Sequence, residues 1–306
     1  SYLVMGLSDK YKENLWVIAD GERKDRLAKN GLNINDKVYS LHVKTPAEAH
    51  GVDLLFVCTK YTQLRDSLPD IETITGEHTM VVSLLNGVDS EELIGQRIGM
   101  EHMIYSLIRI ASHRIGNSIH FSLPKGYNGI YIGIPNQPAC QDPRLAAIAE
   151  IFADTPVTLH LSDDILLDMW DKFGLNVSRN LPQAILGAGV GCYRDSVHMK
   201  AISDGLRKEL MAIAAAKGID LSIVDKNSGR GSAVPPDARY STLQDIDAGR
   251  HTEIDMFSGA LMRMGKELGI PTPYNEYTYH MIKALEEKND GLFDYSGKDQ
   301  EPTWAK

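Results

Sequence analysis

The chain has 306 residues, 43% of them hydrophobic, and a formal net charge of −9. That length allows two cored domains, while an acidic balance without a basic tract leaves no electrostatic footprint for nucleic acid or an anionic membrane. No apolar stretch is long enough to span a bilayer, and no signal-peptide pattern opens the chain.

Residues 1–10 read as the body of an amphipathic helix. Strands are predicted at 15–20, 37–43, 52–60 and 79–86, with helices at 62–68 and 91–98, the second opening on Glu91 and Glu92. Short apolar strands alternating with helices are the pattern of βαβ units on a parallel sheet. The expected fold class is therefore α/β, a doubly wound nucleotide-binding domain coming first. Ligands of such sheets lie beyond the carboxyl ends of the strands, where Asp20, Lys60 and Asn86 all fall. After a strand at 103–111 the spacing changes to that of antiparallel strands at 118–122 and 129–134, then a helix at 143–152 and a strand at 157–161. From Asp164 onward strand signals nearly vanish, and 165–186, 196–217, 243–268 and 275–288 read as helices. The expected domains are a dinucleotide-binding domain at 1–163 and a helical substrate domain at 164–306.

A doubly wound dinucleotide domain opens with a strand and a Gly-x-Gly-x-x-Gly turn, and no such motif is present. The chain reads as though it starts just past that turn, with Asp20 at the spacing of an acid that binds a ribose hydroxyl. The expectation is that roughly a dozen residues forming that strand and loop precede Ser1. Without them, neighbouring strands would be left unpaired near the middle of the sheet.

Within 168–182, Lys172, Asn176 and Asn180 recur at i, i+4, i+8, which sets one ammonium and two amides along one helix face. Beside them runs an apolar stripe of Met169, Phe173, Val177 and Leu181. Lys and Asn most often make a solvated face, but Trp170, Leu175 and the stripe are poor company for one, and the wall of a polar crevice fits better. Residues 228–236 read as a loop by composition. Ser241-Thr242-Leu243-Gln244 fits a capping box, so Ser241 is expected to cap a helix that also carries His251, Glu253 and Asp255. A helix N-terminus of that kind also suits a carboxylate.

These blocks resemble the ketopantoate reductase (2-dehydropantoate 2-reductase) family over nearly the whole chain. The resemblance rests on Thr59-Lys60, Leu85-Asn86-Gly87, Trp170-Asp171-Lys172 with Asn176 and Asn180, Ser241 to Asp245, and Arg250 to Asp255. It implies a Rossmann domain followed by a helical domain like the C-terminal domain of 6-phosphogluconate dehydrogenase. It further implies that Lys172 is the general acid, that Asn86, Asn176, Asn180 and Ser241 bind a small 2-oxo acid, and that Lys60, Asn86 and Glu253 serve the cofactor, beside the Asp20 that spacing assigns to it. Glu253 either orients the Lys172 ammonium, which makes it part of the catalytic group, or holds a ribose.

Those residue types suit the chemistry. Hydride addition to a 2-oxo acid builds negative charge on the ketone oxygen, which a fixed cationic donor stabilises and then protonates. Two positions depart from the family pattern. The resemblance implies NADP(H), yet Asp20 suits a free 2′-hydroxyl and hence NAD(H), with Arg23 and Lys24 available to compensate. Val190 stands where some relatives have a substrate-binding Asn, which leaves another branched 2-oxo acid open as substrate. Alternatives are a hydroxy-acid dehydrogenase of the same plan and a non-catalytic dinucleotide sensor. Cys58, Cys140 and Cys192 stand far apart without CxxC spacing, which argues for a reducing compartment, the cytoplasm, and against structural zinc. No catalytic metal is expected, and a homodimer is compatible with the apolar positions of 196–217 and 275–288.

Overall fold

The computed structural model describes residues 1–124, 126–226 and 235–293. The predicted loop at 228–236 lies outside the described residues except at its last two positions. The chain divides into two compact units, Ser1–Trp170 and Asp171–Lys306.

The first unit opens with α1 (Tyr2–Tyr11), whose Tyr2, Val4 and Leu7 are buried. Then come β1 (Trp16–Ile18), α2 (Gly21–Asn30), β2 (Leu32–Ile34), β3 (Lys37–Tyr39) and β4 (His42–Lys44). Asn35 and Asp36 join β2 to β3 with φ of 49° and 62°, a two-residue turn with both centres left-handed that matches the twist of a hairpin. Gly31 closes α2 at φ 64°, where a Cβ would collide with the Tyr39 carbonyl oxygen. The expected single strand at 37–43 is instead two strands in two sheets. β3 pairs with β2, the chain bends at Ser40 and Leu41, and β4 pairs in parallel with β1. Apolar alternation runs through the bend and hid it.

The main sheet holds β5 (Leu54–Val57), β6 (Met80–Ser83), β7 (Met103–Arg109), β10 (Gly129–Gly133) and β11 (Leu159–Leu161), in the order β11-β10-β7-β6-β5. β5, β6 and β7 are parallel, whereas β10 runs antiparallel to β7. The hairpin of β8 (Ser112–Ile115) and β9 (Ser118–Phe121) joins β2 and β3 in a separate sheet. Helices cover both faces of the main sheet. On one, α1 and α5 (Pro143–Phe152) pack Leu7, Leu145 and Phe152 with Val82, Ile104 and Ile130. On the other, α3 (Tyr61–Ile74) and α4 (Ser90–Ile98) pack Leu64, Ile71 and Ile94 with Leu55, Val57 and Val81. This two-sided cover is why the strands read as near-continuous apolar runs. β1 splits between the same layers as β5 does, Val17 to the first and Trp16 and Ile18 to the second. Yet β1 and β5 belong to different sheets, and among the described residues nothing pairs with the outer edge of either. This is a Rossmann-like doubly wound unit.

The second unit is helical. α6 (Ile165–Leu175) spans the division between units and runs through a π-helical turn, Asn176–Asn180, into α7 (Leu181–Leu186). After these come α8 (Cys192–Asp195), α9 (Val197–Ala216), α10 (Ser222–Lys226), α11 (Ser241–Asp247), α12 (Ser258–Leu268) and α13 (Pro273–Asn289). The buried Glu209 of α9 accepts the backbone N–H groups of Tyr274 and Asn275 at 2.7 and 3.0 Å. A carboxylate is favoured there by the helix dipole of α13. The helix expected over 243–268 is broken, since α11 stops at Asp247, Gly249 turns the chain at φ 63°, and helix resumes only at Ser258. His251, Glu253 and Asp255 therefore lie on a connecting segment, not on the helix of Ser241. Thr252, Ile254 and Met256 are buried there while Glu253 and Asp255 are partly exposed. That alternation has period two, which sequence reading merged into a helical pattern.

Candidate active site

In the first unit the three strand-end residues are held by the turns that follow their strands. Asp20 lies two residues past β1, exposed, and its carboxylate accepts the Gly21 N–H at 2.7 Å as the N-cap of α2. Lys60 is the N-cap of α3, three residues past β5. Just before it, the Thr59 hydroxyl oxygen is buried with no hydrogen-bond partner. An unsatisfied buried hydroxyl at the carboxyl end of a parallel strand is where a polar ligand group would repair the deficit. The residues present thus fit a bound dinucleotide. Lys24 is committed elsewhere, at 2.7 Å from Glu48, whose carboxyl is held down at about 2 by Lys24 and by the Thr45 N–H.

Asn86 follows β6 in a turn where Gly87 has φ 90°. Beneath that turn the Ser83 and Ser90 hydroxyls lie 2.8 Å apart, and Ser90 donates to Glu91 at 2.9 Å. The Ser106 hydroxyl donates to the Ser83 carbonyl, tying in β7. Tyr61 on α3 donates to Asp89 at 2.7 Å and anchors the far end. Glu91 is 1% exposed, and burial pushes its carboxyl up to about 7 against the bond from Ser90. This network went unnoticed in the sequence, where Glu91 and Glu92 look alike; a Ser and a Glu beside Asn-Gly were the available signal.

In the second unit Lys172 sits in the last turn of α6, half-buried, with Asn176 one turn on. Four residues of α-helix overshoot a full turn by about 40°, whereas a π-turn closes i→i+5, so four of its residues fall short. The π-turn therefore swings Asn180 back toward the line of Lys172. Its cause is local. Pro182 has no N–H for the Ser178 carbonyl and would crowd it in a regular helix, and the Ser178 hydroxyl donates to the Gly174 carbonyl at 2.7 Å, a back-bond that bends helices.

Asn180 is 2% exposed. Its amide nitrogen donates to the Ser241 hydroxyl at 3.1 Å and its carbonyl accepts the Thr242 N–H at 3.1 Å. Ser241 is therefore not the cap it was expected to be. Tyr240 holds the N-cap position without a side-chain bond, and the orphan N–H of the first turn is satisfied by Asn180. Gln183, fully buried and not singled out from the sequence, accepts the Tyr240 N–H at 2.8 Å and donates to the Ala238 carbonyl at 2.9 Å. Its spacing of three from Asn180 was the signal that could have found it. Val190 gives its backbone N–H to the same Ala238 carbonyl at 3.0 Å. Glu253 lies in the segment between α11 and α12, its carbonyl accepting from Met256 and Phe257 at 3.0 and 3.2 Å. Phe257 meets Phe173, the neighbour of Lys172, at a ring separation of 6.4 Å, which brings the two segments alongside. Lys172, Asn176, Asn180, Ser241 and Glu253 thus belong to one unit, whereas Asp20, Lys60 and Asn86 belong to the other.

Two family models match, described as ketopantoate reductase PanE/ApbA over residues 1–137 and ketopantoate reductase PanE/ApbA C terminal over 164–286. The chain is 28% identical to the 2-dehydropantoate 2-reductase of Caulobacter vibrioides over 243 residues, 78% of this chain and 80% of that one. Among solved structures, D-mandelate dehydrogenase in complex with NADH superposes with TM-score 0.77 at 22% identity, covering 92% of this chain and 94% of that one. The dimeric ketopantoate reductase of Staphylococcus aureus gives 0.75 at 17%, covering 94% and 95%. No described helix is long and apolar enough to cross a membrane. With a doubly wound unit, a helical unit and family models spanning both, the chain belongs to the ketopantoate reductase family of oxidoreductases.

Proposed function

We propose that the chain reduces ketopantoate to pantoate, with a nicotinamide cofactor as hydride source and Lys172 as general acid. The observation that carries the reading is the run of Lys172, Asn176 and Asn180, drawn toward one line by the π-turn, with Ser241 hydrogen-bonded to Asn180. The cofactor, when bound, supplies a hydride to the ketone carbon. As charge gathers on the ketone oxygen, the Lys172 ammonium gives it a charge-assisted hydrogen bond and then its proton. Asn176 and the Ser241 hydroxyl orient the 2-oxo acid. Asn180 presents Ser241 and keeps a second amide hydrogen for the substrate.

Lys60, Asn86 and Asp20 serve the cofactor, Asn86 next to the substrate as well. NAD(H) is favoured over NADP(H), because Asp20 repels a 2′-phosphate and Lys24 is neutralised by Glu48. Glu253 orients Lys172 or holds a ribose. A homodimer in the cytoplasm is the expected setting, supported by the dimeric relative and by three free cysteines.

A second reading, reduction of another branched or aryl 2-oxo acid, is favoured by Val190, which offers an apolar side chain where an amide would bind a hydroxyl, and by the likeness to D-mandelate dehydrogenase. Initial rates with ketopantoate, 2-oxoisovalerate and phenylglyoxylate, each with NADH and NADPH, test both. The highest kcat/KM with ketopantoate supports the first reading. A higher value with either other acid replaces it, and no oxidation of either cofactor returns the chain to a non-catalytic sensor.

A further inference from the structure

The connecting segment that carries Glu253 has no helix or sheet to hold it, yet the residues on either side of Glu253 are tethered to α13 by a run of charged groups. The Glu286 carboxylate, 3% exposed, accepts both the backbone N–H of Thr252 at 2.7 Å and the Thr252 hydroxyl at 2.6 Å through one oxygen. Its other oxygen lies 3.2 Å from the Lys283 ammonium and 3.8 Å from His251 Nδ1. Lys283 continues to Asp255 at 2.9 Å, and Asp255 accepts the Tyr279 hydroxyl at 2.7 Å. Arg263 reaches the Asp255 carbonyl at 3.2 Å, and His251 Nε2 lies 2.9 Å from Asp290.

If the segment needed only to be covered, apolar side chains would do it at lower cost, since a buried ion pair often adds no stability over a hydrophobic isostere. What a bonded carboxylate adds is direction. Thr252 and Ile254 are buried while Glu253 between them is partly exposed, so fixing Thr252 fixes the backbone from which the Glu253 side chain leaves. Burial works against the Lys283 ammonium, and the Asp255 and Glu286 carboxylates together outweigh it, holding lysine above its ordinary value and the link charged.

We propose that Glu286 is a positioning residue for Glu253, acting through Thr252 and, by way of Lys283, through Asp255. This rests on the reading of Glu253 given above. Three variants test it, Glu253→Gln, Glu286→Gln and the double, with kcat and KM measured separately, cofactor Kd by calorimetry and melting temperature for folding. Glu286→Gln is expected to change kcat/KM and cofactor Kd in the same direction as Glu253→Gln, by roughly tenfold in kcat/KM, the scale of one charge-assisted bond. The double variant is expected within about twofold of Glu253→Gln, as coupled sites require. Losses that multiply, or wild-type kinetics and cofactor affinity in a folded Glu286→Gln, overturn the proposal. A silent Glu253→Gln overturns the reading of Glu253 itself and the proposal with it. Should Glu286→Gln fail to fold, Thr252→Val, which removes only the hydroxyl bond, takes its place in the same cycle under the same criteria.

Discussion

Replacing Glu91 by Gln isolates the cost of one buried charge. The carboxyl is 1% exposed and burial raises it from an ordinary 4.5 to about 7, a difference that corresponds to roughly 3 kcal/mol. A raised folded pKa means that the folded chain keeps its proton while the unfolded chain loses it. Stability therefore falls as pH rises from about 4.5 to about 7 and is level above that. Glutamine has no proton to lose. The stability difference between Glu91→Gln and wild type should climb by roughly 2–3 kcal/mol between pH 5 and pH 8, whatever constant offset the amide brings. Asp89, Glu92 and Tyr105 are the charged or titratable groups around it, and they are common to both chains. Urea denaturation followed by fluorescence reads it, because Trp16 packs on the apolar layer of this unit. A difference that stays flat across that pH range would refute the reasoning.

Lys172→Ala should leave cofactor affinity within a few-fold, measured calorimetrically, while kcat falls by about 10²–10⁴ as a general acid is lost. Asp20→Ser keeps a capping oxygen for Gly21 but removes the charge, and the ratio of kcat/KM with NADPH to that with NADH should rise by about tenfold, the effect of somewhat over 1 kcal/mol of repulsion. An unchanged ratio would remove Asp20 from the cofactor site. Gly31→Ala forces a side chain into φ 64° and against the Tyr39 carbonyl oxygen, so a loss of at least about 1 kcal/mol in denaturation is expected.

The doubly wound plan and the succession of helices were legible because both rest on long apolar patterns. The ends of the run 165–186 were readable too, since α6, the π-turn and α7 cover it without a gap. What failed were places where a local period changes without a change in composition. Residues 37–43 alternate through a bend, and only the pairing of β4 with β1 reveals it. Residues 248–257 contain enough apolar residues to imitate a helix, yet Gly249 breaks it and 253–257 form turns in which the Glu253 carbonyl accepts from Met256 and Phe257. Ser241 carried the right residue type for a cap, but a side chain 61 positions earlier satisfies the helix end instead. No local pattern encodes that exchange. The same holds for the bond between Glu286 and Thr252, which are 34 residues apart.

The π-turn also alters what the chain can lose. A residue deleted from an ordinary helix rotates everything after it by about 100°, which would tear α7 from its packing. Five residues of π-turn, closing i→i+5, advance the helix about as far as four of α-helix do. The turn 176–180 therefore holds one residue more than the phase of α6 and α7 requires. A chain lacking Ser178 should keep Phe173 and Leu181 in phase, with Pro182 still bending the helix at the Val177 carbonyl, yet set Asn176 and Asn180 only three positions apart. Folding and the spacing of the polar line are thus separable by a single deletion.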